Sequence, residues 1–179
     1  MRISALQFFF LAISLASTRG DLPVGKIHAL KFADLDGNAH STADGHMTVI
    51  VLTTKDDVAK AQAVGDRIPV YCLGNPAFRM ITVVKFGPHN AAVRNFMAMM
   101  ARRRLDTEGG RLQRRYDIRN IKRIARNDVF AVADFDGSAI KQLGGGSADF
   151  RVFVFARNGE LLKQWDEVPS IVQLAEALK

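Results

Sequence analysis

Cys72, in Val70-Tyr71-Cys72-Leu73-Gly74, is the only thiol of the chain. As a thiolate it would support one-cysteine redox chemistry, peroxide reduction or a covalent link to a partner. No His, Lys or Arg flanks it to favour the thiolate. Arg67 and Arg79 are the nearest cations in sequence, and folding would have to bring them up. A free cysteine without such a partner more often packs as a small hydrophobe, and the residues favour that reading. A single thiol also makes no intramolecular disulfide, so stability must come from packing.

Other residue types that do chemistry form weaker patterns. His40 and His46 could face one another across a turn as metal ligands, but no third ligand has suitable spacing. Asp34-Leu35-Asp36-Gly37 and Asp134-Phe135-Asp136-Gly137 lack the third acid and the distal Glu of a calcium loop, and turn chemistry accounts for both. There is no phosphate loop and no nucleophile elbow. No metal or cofactor is expected.

The most unusual stretch is basic. Residues 102–126 hold ten Lys or Arg against Asp106, Glu108 and Asp117, a local excess equal to the +7 of the whole chain. Read as a helix, residues 111–126 set Arg119, Lys122, Arg123 and Arg126 on one face, with Arg115 a turn earlier. Ile118, Ile121, Ala125 and marginally Ile124 lie opposite. Such a helix would suit anionic lipid or an acidic protein partner. A solvated face above a core-packed stripe explains it more simply. Nucleic acid fits poorly, because Tyr116 is the only aromatic interleaved.

The elements that must position these residues read more firmly. At 179 residues and 48% hydrophobic content, the chain is long enough for one well-packed domain. Residues 1–20 read as a secretory signal peptide: Arg2, an apolar run from Ile3 to Ala16, and small residues for a cut between Ala16 and Gly20. An uncleaved anchor is the alternative, although the run is shorter than a spanning helix needs. Residues 21–179 read as a single domain, periplasmic or secreted.

Within it, Leu30 to Ser41 predicts a hairpin. Met47 to Leu52 is a continuous apolar run, as in a strand buried on both faces. Lys55 to Ile68 follows as a helix, and Phe78 to Phe86 as a strand. Val70 to Leu73 is ambiguous. Ala91 to Leu105 predicts a helix with Val93, Phe96, Met97 and Met100 on one face, and Asp106 to Gly110 a linker. Val129 to Ala133 is a strand, followed by a short helix. Phe150 to Phe155 and Leu161 to Trp165 form a hairpin around Asn158-Gly159. Ser170 caps a last helix.

This order resembles the thioredoxin-like fold, in the secreted branch with cytochrome-maturation thioredoxins and peroxiredoxin-like proteins. The matching pieces are KFADLDGNAHSTADGHMTVIVL (31–52), RMITVVKF (79–86), VFAVADFDGSAIKQLG (129–144) and FRVFVFARNGELLKQW (150–165). The resemblance implies a central mixed sheet of four to five strands flanked by helices, with an N-terminal hairpin and a basic helical insertion. In redox members a cysteine pair, or a lone peroxidatic cysteine, follows the first core strand at the start of its helix, where the helix end lowers a thiol's pKa. Here that place reads Thr53-Thr54-Lys55-Asp56-Asp57-Val58. The loop that carries the fold's usual proline reads Gly144-Gly145-Gly146-Ser147-Ala148-Asp149. The expectation is therefore a binding or accessory protein without dithiol chemistry. The alternatives are a one-cysteine antioxidant using Cys72 and a peripheral membrane protein using the basic helix.

Overall fold

A computed structural model describes residues 21–146 and 149–179. The expected signal peptide, and Ser147-Ala148 of the glycine loop, lie outside the described residues. The strands are β1 (Lys31–Ala33), β2 (Ala39–Ser41), β3 (Met47–Thr54), β4 (Phe78–Lys85), β5 (Phe130–Asp134), β6 (Arg151–Phe155) and β7 (Leu161–Trp165). The helices are α1 (Val58–Arg67), α2 (Ala91–Ile118), α3 (Ser138–Gln142) and α4 (Ile171–Ala177). Short 3-10 turns occupy Val70–Cys72 and Ala125–Asp128.

Five strands form one mixed sheet in the order β5-β4-β3-β6-β7, and β1 and β2 pair separately as an antiparallel hairpin. β3 runs parallel to β4 and antiparallel to β6, so it is flanked on both sides. That position explains its unbroken apolar sequence: Val49 and Val51 face one layer, Ile50 and Leu52 the other. α1 and α4 cover the first face with Ala61, Val64, Leu174 and Ala177. Phe32 of β1, Ala139 of α3 and the Phe153–Phe155 stack fill the second. α4 begins on a full capping box: Ser170 Oγ accepts from the Gln173 N–H, and Gln173 Oε1 accepts from the Ser170 N–H.

The basic region departs from the expectation. The two helices and linker over residues 91–126 are instead one 28-residue helix ending at Ile118. Gly109-Gly110 does not break it. A Cβ at Gly109 would lie 3.1 Å from the Cα and Cβ of Arg126, so the missing side chain lets the following segment pack directly on the helix. That contact offsets the roughly 1 kcal/mol helix cost of Gly109, whereas a side chain at Gly110 would meet open space. The helix stops because Asn120 enters the left-handed region at φ 55°. Asn120 and Ile121 then donate their N–H groups to Asp117 and Tyr116, satisfying the last carbonyls. Arg119, Lys122, Arg123 and Arg126 therefore share no helical face. Arg119 caps α2, Lys122 and Arg123 lie in a loop, and Arg126 sits in a 3-10 turn.

The closing hairpin also turns differently. Only Gly159 of the Asn158-Gly159 pair takes positive φ (87°), while Asn158 Oδ1 accepts from the Glu160 N–H. A side chain at Gly159 would meet Ala43 and the His28 carbonyl, because residues 25–28 run alongside the start of β7.

Candidate functional site

Thr53 and Thr54 end β3, Asp57 sits at the N-cap of α1, and its side chain caps no backbone N–H. This is the helix start at which redox members of the fold carry their thiol. Here it presents hydroxyls, Lys55 and two carboxylates.

Cys72 lies at the other end of α1, in the 3-10 turn after Arg67. Ten residues of helix at 1.5 Å rise separate the two positions by about 15 Å. Cys72 is 5% exposed and packs with Val64, Ile68, Phe150 and Leu178. Burial pushes its thiol up to about 11. Neither cation named in the sequence is used on it. Arg67 Nη1 donates to the Val168 and Pro169 carbonyls at 3.0 and 2.8 Å. Arg79 belongs to a separate cluster. A desolvated thiol beyond a helix C-terminus has the opposite environment to a reactive one.

That cluster ties the N-terminal hairpin to the sheet. Arg79 on β4 is 6% exposed, and its guanidinium donates to Thr48 Oγ1 (3.1 Å), Asp44 Oδ1 (2.8 Å), the Ser41 carbonyl and His40 Nδ1 (3.4 Å). With Nδ1 accepting, the His40 hydrogen sits on Nε2 and donates to Asp34 Oδ2 at 2.8 Å. Asp34 also accepts from the Asp36 and Asn38 N–H groups, closing the β1–β2 turn. His46 contacts Asp44 at 2.8 Å. The two histidines are thus held by separate carboxylates and do not converge. Among the described residues, no group of three or more His, Cys, Asp or Glu could hold a metal. Asp134, in the other Asp-x-Asp-Gly turn, accepts from the Ala139 and Ile140 N–H groups at the start of α3.

Burial raises the Asp34 carboxyl, but hydrogen bonds from His40 and Asn38 outweigh it and leave the pKa below its ordinary value. Burial also opposes ionisation of Asp44, and Arg79, His46 and the Ser41 N–H overcome it by more. Both pKa values are depressed on folding. Their stabilisation is complete above the unfolded value near 4 and is lost as pH falls through the folded values. Urea midpoints are expected to be flat from pH 7 to 5 and to drop below about pH 4, with a smaller drop in Asp44→Asn.

The basic candidates are largely engaged within the fold. Arg126 bridges Asp36 and Asp106 at 2.8 Å each, joining the hairpin turn to α2. Arg123 grips Asp128 with two nitrogens, and Tyr116 donates to the same carboxylate while accepting from the Gly74 N–H. Burial and the Asp128 contact push the Tyr116 phenol up to about 12. Arg115 Nη1 donates to the Gly65 carbonyl of α1. Arg119 reaches only the Arg115 carbonyl, and no partner holds Lys122 among the described residues.

One feature had no sequence signal. Between α1, β4, β5 and α2 lies an open groove of about 1010 Å³, which Cys72 also lines. Thr82 and Val84 form its floor, and Met97 and Met100 stand over it. Phe96 and Met100 of the predicted apolar face of α2 are 59% and 47% exposed. Further along α2 the two helices are bridged: Gln62 Nε2 donates to Glu108, and Arg111 pairs with Asp66 and Glu108.

No known family model matches the chain, and no curated protein does. Solved structures do. A DsbF homologue from Corynebacterium diphtheriae is 11% identical, over 97% of this chain and 98% of that one, with a TM-score of 0.51. The exposed lipoprotein thioredoxin of Streptococcus pneumoniae is 12% identical, over 84% and 97%, TM-score 0.51. A thiol:disulfide interchange protein of the thioredoxin family from Chlorobium tepidum is 11% identical, over 89% and 99%, TM-score 0.51. Identities this low speak for architecture alone. Together with the parallel β3-β4-β5 core, the antiparallel β6-β7 hairpin and the flanking helices, they establish that the chain has the thioredoxin-like fold.

Proposed function

We propose that this chain is an extracytoplasmic thioredoxin-fold protein that acts by binding and not by thiol–disulfide exchange. The observation that carries the reading is the exchange of roles at the two ends of α1. Its N-terminus has Thr53 to Asp57 and no sulfur, and the one thiol is buried beyond its C-terminus with its pKa raised. The extracytoplasmic part is supported by the charged and then apolar pattern of residues 1–20, and by the likeness to a pneumococcal lipoprotein described as exposed.

The one-cysteine enzyme would need Cys72 accessible and beside a cation, and neither condition is met in the geometry. The membrane reading needed a cationic helical face; α2 ends before that face begins, and only Arg119 and Lys122 of the five candidates stay without a carboxylate. The test is alkylation of Cys72 in the native chain across pH. The rate is expected to keep rising through pH 9 and 10, as a thiol near 11 requires. A plateau below pH 8.5 would mean an activated thiolate and would return the chain to the redox enzymes.

A further inference from the structure

We propose that the groove between α1, β4, β5 and α2 binds a long-chain fatty acid, its acyl chain on the groove floor and its carboxylate met by the rim cations. The proposal rests on the reading of this chain as a binding protein and names the ligand class.

Three observations carry it. The first is the wall chemistry. The groove is lined by Val58, Thr82, Val84, Phe86, Met97 and Met100, and its 1010 Å³ lies at the upper end of small-molecule sites. Methionine walls adapt to a flexible chain better than branched ones do. The second is what the groove lacks. β4 is an inner strand with its backbone paired to β3 and β5, and on β5, the edge strand that also lines the groove, the Leu35 N–H already bonds the Ala131 carbonyl. Gln62 and Glu108, two of the polar groups that line it, already bond each other. A peptide backbone laid there would leave its own polar groups unpaired, whereas an acyl chain has none to satisfy.

The third is charge. Lys55, Arg103 and Arg104 line the groove, and no carboxylate lies within 4 Å of them among the described residues. The acids that also line it are taken: Asp66 and Glu108 by Arg111, and Asp128 by Arg123. The apolar channel thus has a cationic rim with no internal counterion, which selects an amphiphile with a negative head over a neutral one.

The test is displacement of a dansyl-labelled fatty acid from the full chain by oleate and by oleyl alcohol, below their aggregation limits and at low salt. Oleate is expected to displace at micromolar concentration, the alcohol more weakly. Met100→Glu adds a negative charge on an exposed α2 position that packing does not restrict, and is expected to weaken oleate at least about tenfold. The triple variant Lys55→Gln, Arg103→Gln, Arg104→Gln should weaken oleate about three- to tenfold and leave the alcohol unchanged. No displacement, or displacement that Met100→Glu does not alter, overturns the proposal. Equal affinity for acid and alcohol overturns its anionic half. Displacement by an apolar peptide but not by oleate overturns it in favour of a peptide groove. Cys72 also lines the groove, so its alkylation profile is read on the ligand-free chain, where it tests the non-redox reading separately.

Discussion

Replacing Arg79 by methionine is expected to destabilise the chain by about 3–5 kcal/mol, the cost of removing one partner from a buried ionic cluster. Methionine keeps the apolar stem and removes the guanidinium, so most of the loss is that of the charge and its hydrogen bonds. Arg79 is the buried cation of β4, and it serves three elements at once: Thr48 on β3, the Ser41 carbonyl at the end of β2, and Asp44 in the turn before β3. Without it, Asp44 keeps only His46 and the Ser41 N–H, and His40 loses the donor that fixes its hydrogen toward Asp34. The double variant Arg79→Met, Asp44→Asn should recover part of the loss, because the stranded charge is gone. Urea unfolding of both, with circular dichroism to check the fold, measures the effect. A cost below about 1 kcal/mol for Arg79→Met would mean that the cluster is solvated and does not clamp the hairpin.

Moving the sulfur to the other end of α1 should change its reactivity by more than any single change to its surroundings. In Asp57→Cys the new thiol stands at a helix N-cap, with an ordinary or lowered pKa, near 8.5 or below. Cys72 stands near 11. At pH 7 the thiolate fractions then differ by more than about 100-fold, before access is counted. Site-resolved mass spectrometry after brief iodoacetamide exposure reads both thiols in the same molecule. The α1 site is expected to be alkylated at least about 100 times faster than Cys72. Comparable rates would show that this helix start gives a thiol no advantage, and that the absence of cysteine there says little about chemistry.

The fold was largely legible in the sequence because its inner strands are apolar runs, buried on both faces in β3 and on one face in β4. Met47 to Leu52, Phe78 to Phe86 and Phe150 to Phe155 each became a strand. Ser170 was readable as a cap because a serine stands before an apolar run at helical spacing, and the structure adds Gln173 as its reciprocal partner. The basic region was misread for two physical reasons. Gly109-Gly110 is a linker signal by propensity, yet Gly109 is a packing notch for Arg126. The isoleucine spacing through residue 124 is helical, yet Asn120 adopts the left-handed conformation that ends the helix. Neither the notch nor the conformation leaves a periodic trace.

The candidate site was legible only by what it lacks. The missing cysteine between Thr53 and Val58 was visible at once. The burial of Cys72 was expected from the residues around it, but its distance from the α1 N-terminus needed the fold. The groove left no pattern, because Phe96, Met97 and Met100 read as an ordinary core stripe. Arg79 carried a signal that the sequence left unread: a cation between the apolar Phe78 and Met80 of a strand, with its partners His40 and Asp44 more than thirty residues away in the chain.

The account stands most directly on one measurement, the reduction of insulin disulfides by dithiothreitol with and without the full chain. The turbidity of released B chain is expected to develop at the same rate in buffer, with the chain, and with Cys72→Ala. Acceleration by the native chain that Cys72→Ala abolishes would contradict it: the buried thiol would then be reaching substrate, and the fold would be doing the chemistry that its α1 N-terminus has no sulfur to perform.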